Sequence, residues 1–449
     1  SWTASPARKS GMSHTASRQQ AASSITPLWA VLSFTFLNSL GGGVVTTGFS
    51  FLAKSAYGFT PAQNYLLGLS QGVLYIIAAL TVGPALARAA RTTKWISTRR
   101  ALAALMVVLA AFSALPWLGP RVGAPGPWAL WLLIGGYSAL TGVLWPIVES
   151  YMSGGRSEVR LRSGIGVFNV VWSGALVASY WIMGPLQEFH SLELLLGVAA
   201  VHLACLALLP AFARNPASHA DHHGAAVPEA YPRLLGVFRM QLVTSYMVFS
   251  ALTPFLPEAC VSLGLVKHWH TPIAGTWLAA RVLTFAVMQR WHGWHGRWTT
   301  AGFGAAALLV GFGITVLSTR LGVWALLTGL ALFGVGMGVI YCAALYYAMA
   351  VGNSQVDAGG KHEALIGAGY GGGPIFGLIA IAATGGFGAS STSGNRGGAG
   401  GEYELLMLAL VAAAGCSIVG LSLWRARSHA SRNVVPSPQP PATAGKEGG

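Results

Sequence analysis

Apolar residues fall along this chain in long blocks, separated by short polar or Gly/Pro-bearing segments such as GPRVGAPGP (119–127) and SSTSGNRGGAGG (390–401). Each block is roughly 20 residues long, the length an α-helix needs to cross about 30 Å of hydrocarbon. The pattern predicts twelve membrane helices at roughly 27–52, 63–87, 101–119, 127–151, 164–186, 190–212, 236–258, 272–289, 299–319, 321–349, 364–387 and 403–424. One long polar interruption, NPASHADHHGAAVPEAYPR (215–233), divides them into two sets of six. The expected organisation is a polar basic tail (1–26), an N-terminal six-helix bundle (27–213), a central linker (214–235), a C-terminal six-helix bundle (236–425) and a tail of disorder-like composition (426–449).

Composition agrees with that pattern. The 449 residues are 53% hydrophobic and 9% charged, against about a quarter charged in a soluble domain. Mean hydropathy is +0.57. The four cysteines (Cys205, Cys260, Cys342, Cys416) lie in or beside apolar blocks with no paired spacing, so buried packing is expected and not a disulfide framework or a zinc site. The first 24 residues hold no apolar core, so no cleavable signal is expected, and Met12 is the expected natural start.

Charge sets the orientation. With the N-terminus inside, the inner segments carry 21 of the 27 Lys+Arg residues, and basic loops stay in the cytoplasm. Outer loops hold Lys54, Arg121, Lys267, Arg320 and Arg396, and Arg281 is left inside a span. Both termini are therefore expected on the cytoplasmic side of a cell membrane. The net charge of +15 is scattered beside the membrane, which fits an anionic lipid leaflet and no nucleic-acid partner.

The halves resemble each other. GVLWPIVESYMSGGRSEVRLRSGIGVFNVVWSG (142–174) aligns with GVIYCAALYYAMAVGNSQVDAGGKHEALIGAGYGGG (338–373), setting Tyr151 opposite Tyr347 and Gly166 opposite Gly367. An offset of six helices preserves membrane orientation, so the repeat is parallel, about an axis along the membrane normal.

In this layout the chain resembles the major facilitator superfamily across Pro27–Arg425. The loop after helix two, GPALARAAR, matches the family pattern G-x-L-a-D-R-x-G-R at Gly83, Arg88 and Arg91, with Ala87 in place of the aspartate and Ala90 in place of the second glycine. The loop after helix eight, QRWHGWHGR, is a looser version with Arg290 and Arg297. The absent aspartate removes the family's usual charge relay in its standard form. A G-x-x-x-G-P-x-x-G spacing known from antiporters of the family occurs in helix eleven, at Gly369, Gly373, Pro374 and Gly377. Close helix packing and a kink explain it as well as a hinge does. The resemblance implies an all-α, twelve-helix monomer of two six-helix bundles that moves a small-molecule substrate by alternating access. Helices one, two, four, five, seven, eight, ten and eleven would line the path.

Arg281 in TWLAARVLTFAVM is the main candidate for chemistry. It lies about 13 Å from either end of its helix, where an arginine costs roughly 2.5–3.5 kcal/mol on insertion scales. It should face a solvated cavity or a partner. Two roles stay open: binding an anionic or carbonyl-rich substrate, or pinning the C-terminal half to backbone carbonyls or to helix seven. Polar groups at similar depth on the expected cavity helices are Asn38, Gln71, Tyr75, Asn169, Trp172, Tyr246, Ser250, Tyr341 and Tyr370. No carboxylate is expected at mid-span. Glu149 is expected at the inner end of helix four, beside Arg156, Arg160 and Arg162, as a latch or an interfacial ion pair. His202 is expected to pack. HADHH (219–223) lacks fixed geometry for a metal, and WHGWH (291–295) suits the headgroup level. Neither cofactor nor metal is implied, and no nucleophile–base spacing suggests an enzyme. Alternatives are an exporter of amphipathic drugs or lipids, and a non-transporting receptor or scaffold.

Overall fold

The computed structural model describes residues 25–92, 97–156, 158–217, 228–351, 356–385 and 399–432. Among them lie twelve helices long and apolar enough to span a membrane: α1 (Leu28–Thr47), α2 (Pro61–Thr81), α3 (Thr98–Val122), α4 (Trp128–Ser153), α5 (Ser163–Phe189), α6 (Glu193–Ala211), α7 (Ala230–Ser262), α8 (Lys267–Arg290), α9 (Trp298–Val316), α10 (Val323–Ala348), α11 (His362–Thr384) and α12 (Gly401–Ala426). Each overlaps one span expected from hydropathy. Their outer faces are greasy in the way lipid requires, with Leu283 67% and Trp324 78% exposed.

Three departures from the expected helices matter for the interior. The first span is interrupted: the α-helix Leu28–Gly42 passes into a π-helical segment, Gly43–Thr47, before resuming at Phe49–Tyr57. The run Gly41–Gly42–Gly43 has little helix propensity, and the Thr47 hydroxyl donates to the Gly43 carbonyl at 2.9 Å, closing the widened turn. The eighth span is also broken, with a 3₁₀ turn at Lys267–Trp269, a short helix His270–Ala274, and Gly275 before Thr276–Arg290. The eleventh helix starts early, at Val356. Its inner end therefore carries Glu363 about two turns inside the helix, not in a loop as the predicted boundary had it.

Helices α1–α6 and α7–α12 form the two bundles, which meet chiefly through α2 against α11 and α5 against α8. Small residues set the approach. Gly72 lies on the backbone of Tyr370 and Gly371, Gly377 on the Tyr65 ring, and Gly184 on the His268 carbonyl. The glycines paired by the sequence repeat occupy related contacts: Gly166 of α5 touches Gln289 of α8, and Gly367 of α11 touches Ile76 of α2. The hinge candidates Gly369 and Gly373 press on the backbone of α7, and Pro374 abuts Gly68. They are packing positions in this conformation.

Inner here denotes the side carrying the basic connections. Several polar contacts across the bundles lie at the other, outer end. Lys54 of the first helical segment pairs with Glu258 of α7 at 2.5 Å. The Thr271 hydroxyl donates to the Tyr180 carbonyl at 2.8 Å. Tyr65 of α2 reaches into the other bundle, its hydroxyl donating to the Ala251 carbonyl at 2.9 Å and lying 2.6 Å from the Tyr403 hydroxyl.

Gly334 of α10 lies against the Trp277 backbone of α8, where even a methyl group would overlap a carbonyl. Gly334→Ala should cost about 1–3 kcal/mol by overpacking and lower the melting temperature of the purified protein. Gly420→Ala on α12, which meets open space, should leave it unchanged or raise it.

Candidate functional site

Between the bundles lies a cavity with about 760 Å³ of unfilled space, its mouth included. All eight helices expected to line a central path contribute to its wall. From the N-terminal bundle, α1 supplies Asn38, Ser39 and the π-segment residues Thr46 and Thr47, α2 supplies Tyr75, and α5 supplies Trp172. From the C-terminal bundle come Tyr246 of α7, Trp277 and Arg281 of α8, Tyr341 of α10, and Tyr370 with Glu363 of α11.

Arg281 is 1% exposed. Its Nε donates to the Ser173 hydroxyl of α5 at 3.1 Å, a bond from one bundle to the other. Nη1 finds the Met337 sulfur at 3.9 Å, a weak acceptor. Nη2 has no protein partner. Among the described residues no carboxylate forms an ion pair with it. Aromatic rings cover the cation instead: Trp172 lies 4.5 Å, Trp277 4.8 Å and Phe285 5.9 Å from the guanidinium carbon. Desolvated contacts of this kind contribute up to about 2 kcal/mol, enough to hold the charge but not to saturate its donors. Backbone carbonyls, one of the anchors expected from sequence, do not bond it among the described residues; its hydrogen-bond partners lie on α5 and α10, and the Tyr246 hydroxyl of α7, the other expected anchor, also interacts with it.

Two groups of rings meet at the cation, one through Trp172 and one through Trp277. Trp172 sits 5.4 Å from Tyr341, Phe249 4.9 Å from Trp277, and Tyr370 5.1 Å from Tyr246 and 5.8 Å from Tyr75. Three other buried polar atoms on the wall have no protein partner: Asn38 Oδ1, Ser39 Oγ and Trp277 Nε1. Buried polar groups are nearly always satisfied, so a set of four around one cavity points to a ligand or solvent.

Three candidates from the sequence stand one layer back from the wall. Gln71 Nε2 donates to the Thr46 carbonyl at 3.1 Å, holding the π segment. Asn169 accepts from Trp172 Nε1 at 3.2 Å and so orients the indole. Ser250 donates to the Gly369 carbonyl at 3.0 Å, stapling α7 to α11. His202 is buried, 3.0 Å from the Tyr137 hydroxyl, in the packing role expected of it.

The inner end of the cavity differs from expectation. Glu149 lines the wall, and its neighbour Arg156 donates to the Met152 and Thr26 carbonyls at 2.6 and 2.9 Å, not to a carboxylate. Glu363, which the sequence reading overlooked, is 4% exposed, lines the same wall and accepts from the Tyr75 hydroxyl across the bundle interface. Two carboxylates thus stand at the inner end of the cavity, which the sequence reading had assigned to Glu149 alone. A signal was present: KHEALIGAGYGGG continues a helical pattern back through Glu363.

Of the loop candidates, Gly83, Arg88 and Arg91 have side chains outside the described residues, as has Arg162, and HADHH lies outside them entirely. Arg290 and Arg297 are exposed, Arg290 donating to the Ala286 carbonyl at 3.5 Å. In WHGWH, Trp291 is exposed, but Trp294 is buried, donating to the Met288 carbonyl at 3.0 Å, and His295 stacks on Tyr346 at 4.2 Å.

No protein-family model matches the chain, and no curated protein sequence does. Solved structures do. A bacterial homologue of the human lysosomal transporter Spinster, inward-facing and unoccupied, superposes with a TM-score of 0.62 at 15% identity, over 91% of this chain and 98% of its own. The nucleoside transporter NupG superposes at 0.58 with 14% identity over 88% and 98% of the two chains. An aspartate-to-alanine mutant of NupG gives 0.60, 13%, 88% and 99%. With its two six-helix bundles and the cavity between them, the chain has the fold of these solved transporters.

Proposed function

We propose that this protein is a secondary transporter that moves a small organic solute across a cell membrane by alternating access, with Arg281 as the anchor for a negatively charged group. One observation carries the reading: a guanidinium with an unpartnered Nη2 faces a cavity built by both bundles. A buried cation without a counter-charge costs several kcal/mol, and an anionic solute relieves that cost on binding. The fold neighbours, NupG and the Spinster homologue, are transporters, which is consistent with it.

The site spans the bundle interface, so a bound solute biases their relative position. Arg281 bonds Ser173 across that interface. Asn38 and Ser39 of the other bundle share the cavity wall with Arg281, and the ligand acts through its different affinity for the two conformations. The conformation seen here is closed at the outer end. Besides Lys54–Glu258, Glu188 lies 3.4 Å from His268, and Trp181 packs edge-on to Trp269 at 5.9 Å. Partly exposed ion pairs contribute only about 0–1 kcal/mol each, weak enough to break once per cycle. The inward-facing state of the Spinster homologue is the corresponding reading for this chain. It would act as a monomer, with both termini in the cytoplasm and its basic loops against anionic lipid.

Arg281→Met should abolish uptake into reconstituted vesicles while the purified protein melts at or above the wild-type temperature, because a buried unpaired charge is removed. Unchanged uptake would take Arg281 out of the site. Glu258→Gln should loosen the outer closure by about 0.5–1 kcal/mol. Hydrogen exchange at the outer ends of α1 and α7 should then rise roughly two- to fivefold, and unaltered exchange would remove that pair from the gate.

A further inference from the structure

We infer that the solute is a flat aromatic monocarboxylate. This rests on the reading of Arg281 as the anchor and adds what the remainder of the solute must be.

The anchor itself selects the head group. Rings occupy the neighbourhood of the guanidinium carbon at 4.5 and 4.8 Å, distances typical of contact with its faces. The donors in its plane stay open: Nη2 is free and Nη1 meets only a thioether. A carboxylate is the planar anion that takes two parallel N–H bonds from such an edge. The Trp277 N–H and the Ser39 hydroxyl, also without partners, are further unused donors on the wall. A tetrahedral dianion would need more positive charge than the single guanidinium of Arg281 supplies, whatever the indole and the hydroxyl add.

The wall selects the body. Nine of its twenty residues are aromatic, whereas aromatic residues make up 10% of the chain. Leu176 and Ile366 are its aliphatic members. Ring faces and edges set in the wall favour a flat π-system over a puckered aliphatic ring. Gly42 supplies the space. Its neighbours Gly41 and Gly43 are pressed against His202 with Tyr137 and against Ser179, whereas a side chain on Gly42 would meet nothing within 4 Å. Gly42 lines the cavity in ordinary helical conformation, with φ −59° and ψ −36°. Neither packing nor backbone strain calls for glycine there, and the missing side chain leaves a smooth strip of wall.

The inner end limits the charge. Glu149 and Glu363 share the wall with Arg281. A second carboxylate on the solute would bring another acidic group to that end with no described cation to meet it, so one negative charge is accepted and two are not.

The test uses full-length protein in detergent and in vesicles. The probes are benzoate, 2-naphthoate, cyclohexanecarboxylate, benzamide and terephthalate, read by calorimetric binding and by uptake of labelled benzoate. Benzoate and 2-naphthoate should bind and compete for uptake. Cyclohexanecarboxylate, benzamide and terephthalate should each bind about tenfold or more weakly. Gly42→Leu should keep the wild-type melting temperature within a few degrees yet lose 2-naphthoate binding. Gly42→Ala, a smaller intrusion, should weaken it less, and it serves if the leucine variant does not fold. Equal binding of cyclohexanecarboxylate and benzoate, or full 2-naphthoate affinity in a folded Gly42 variant, overturns the aromatic assignment. Arg281-dependent uptake of the aliphatic acid would then leave the transporter reading standing. Failure of every carboxylate to bind overturns the inference, and solute uptake that survives Arg281→Met overturns the anchor reading with it.

Discussion

A guanidinium enclosed in a membrane protein without a carboxylate beside it is the constraint on which the rest of this structure turns. Arg281 cannot face acyl chains at its depth, and it has too few hydrogen bonds to be a satisfied core residue. Two indole rings make its burial tolerable, and a serine from the opposite bundle holds its Nε. What is left is a donor edge turned to a cavity. On the proposed function, the stability given up by keeping that edge unpaired would be recovered when an anion arrives, a common arrangement where function conflicts with local stability.

Much of the surrounding architecture keeps this arrangement in place. Asn169 fixes the Trp172 ring, Gln71 holds the carbonyl of Thr46 in the widened turn of α1, and Gly334 lets α10 close on the backbone of Trp277. The interruptions of α1 and α8 are part of the same design. A straight helix through Gly41–Thr47 would present a regular ridge of side chains, whereas the π segment turns Thr46 and Thr47 toward the cavity next to an unobstructed Gly42. Glycine-lined contacts between α2 and α11 and between α5 and α8 let the bundles approach closely around the cavity. The weak ion pairs at the outer end close it on that side at small energetic cost.

The helix count was legible from sequence because hydrocarbon thickness imposes a block length, and Arg281 was legible because a lone charge in such a block violates the rule that defines the block. Depth along a helix is also readable, so Asn38, Tyr75, Trp172, Tyr246, Tyr341 and Tyr370 were found on the wall. Direction around the helix axis is not readable in spans that are apolar on every side. Gln71 and Ser250, at the right depth, turn out to face neighbouring helices, and Asn169 bonds Trp172 on its own helix. Ser173 and Trp277 were missed for the same reason. Glu363 was lost to a boundary: hydropathy stops at the first charged residue, while the helix itself begins at Val356. Gly42 gave a signal in the GGG run, but separating the glycine that faces space from the two that face side chains requires the fold.

The claim that Arg281 occupies a solvated vestibule between the bundles is tested most directly by reactivity at its own position. In a protein with the four native cysteines replaced, Arg281→Cys in sealed vesicles should react with a charged, membrane-impermeant thiol reagent applied from the open side. Modification by lipid-soluble maleimide alone, with none by the charged reagent from either side, would put that position against acyl chains or in a dry core and contradict the account.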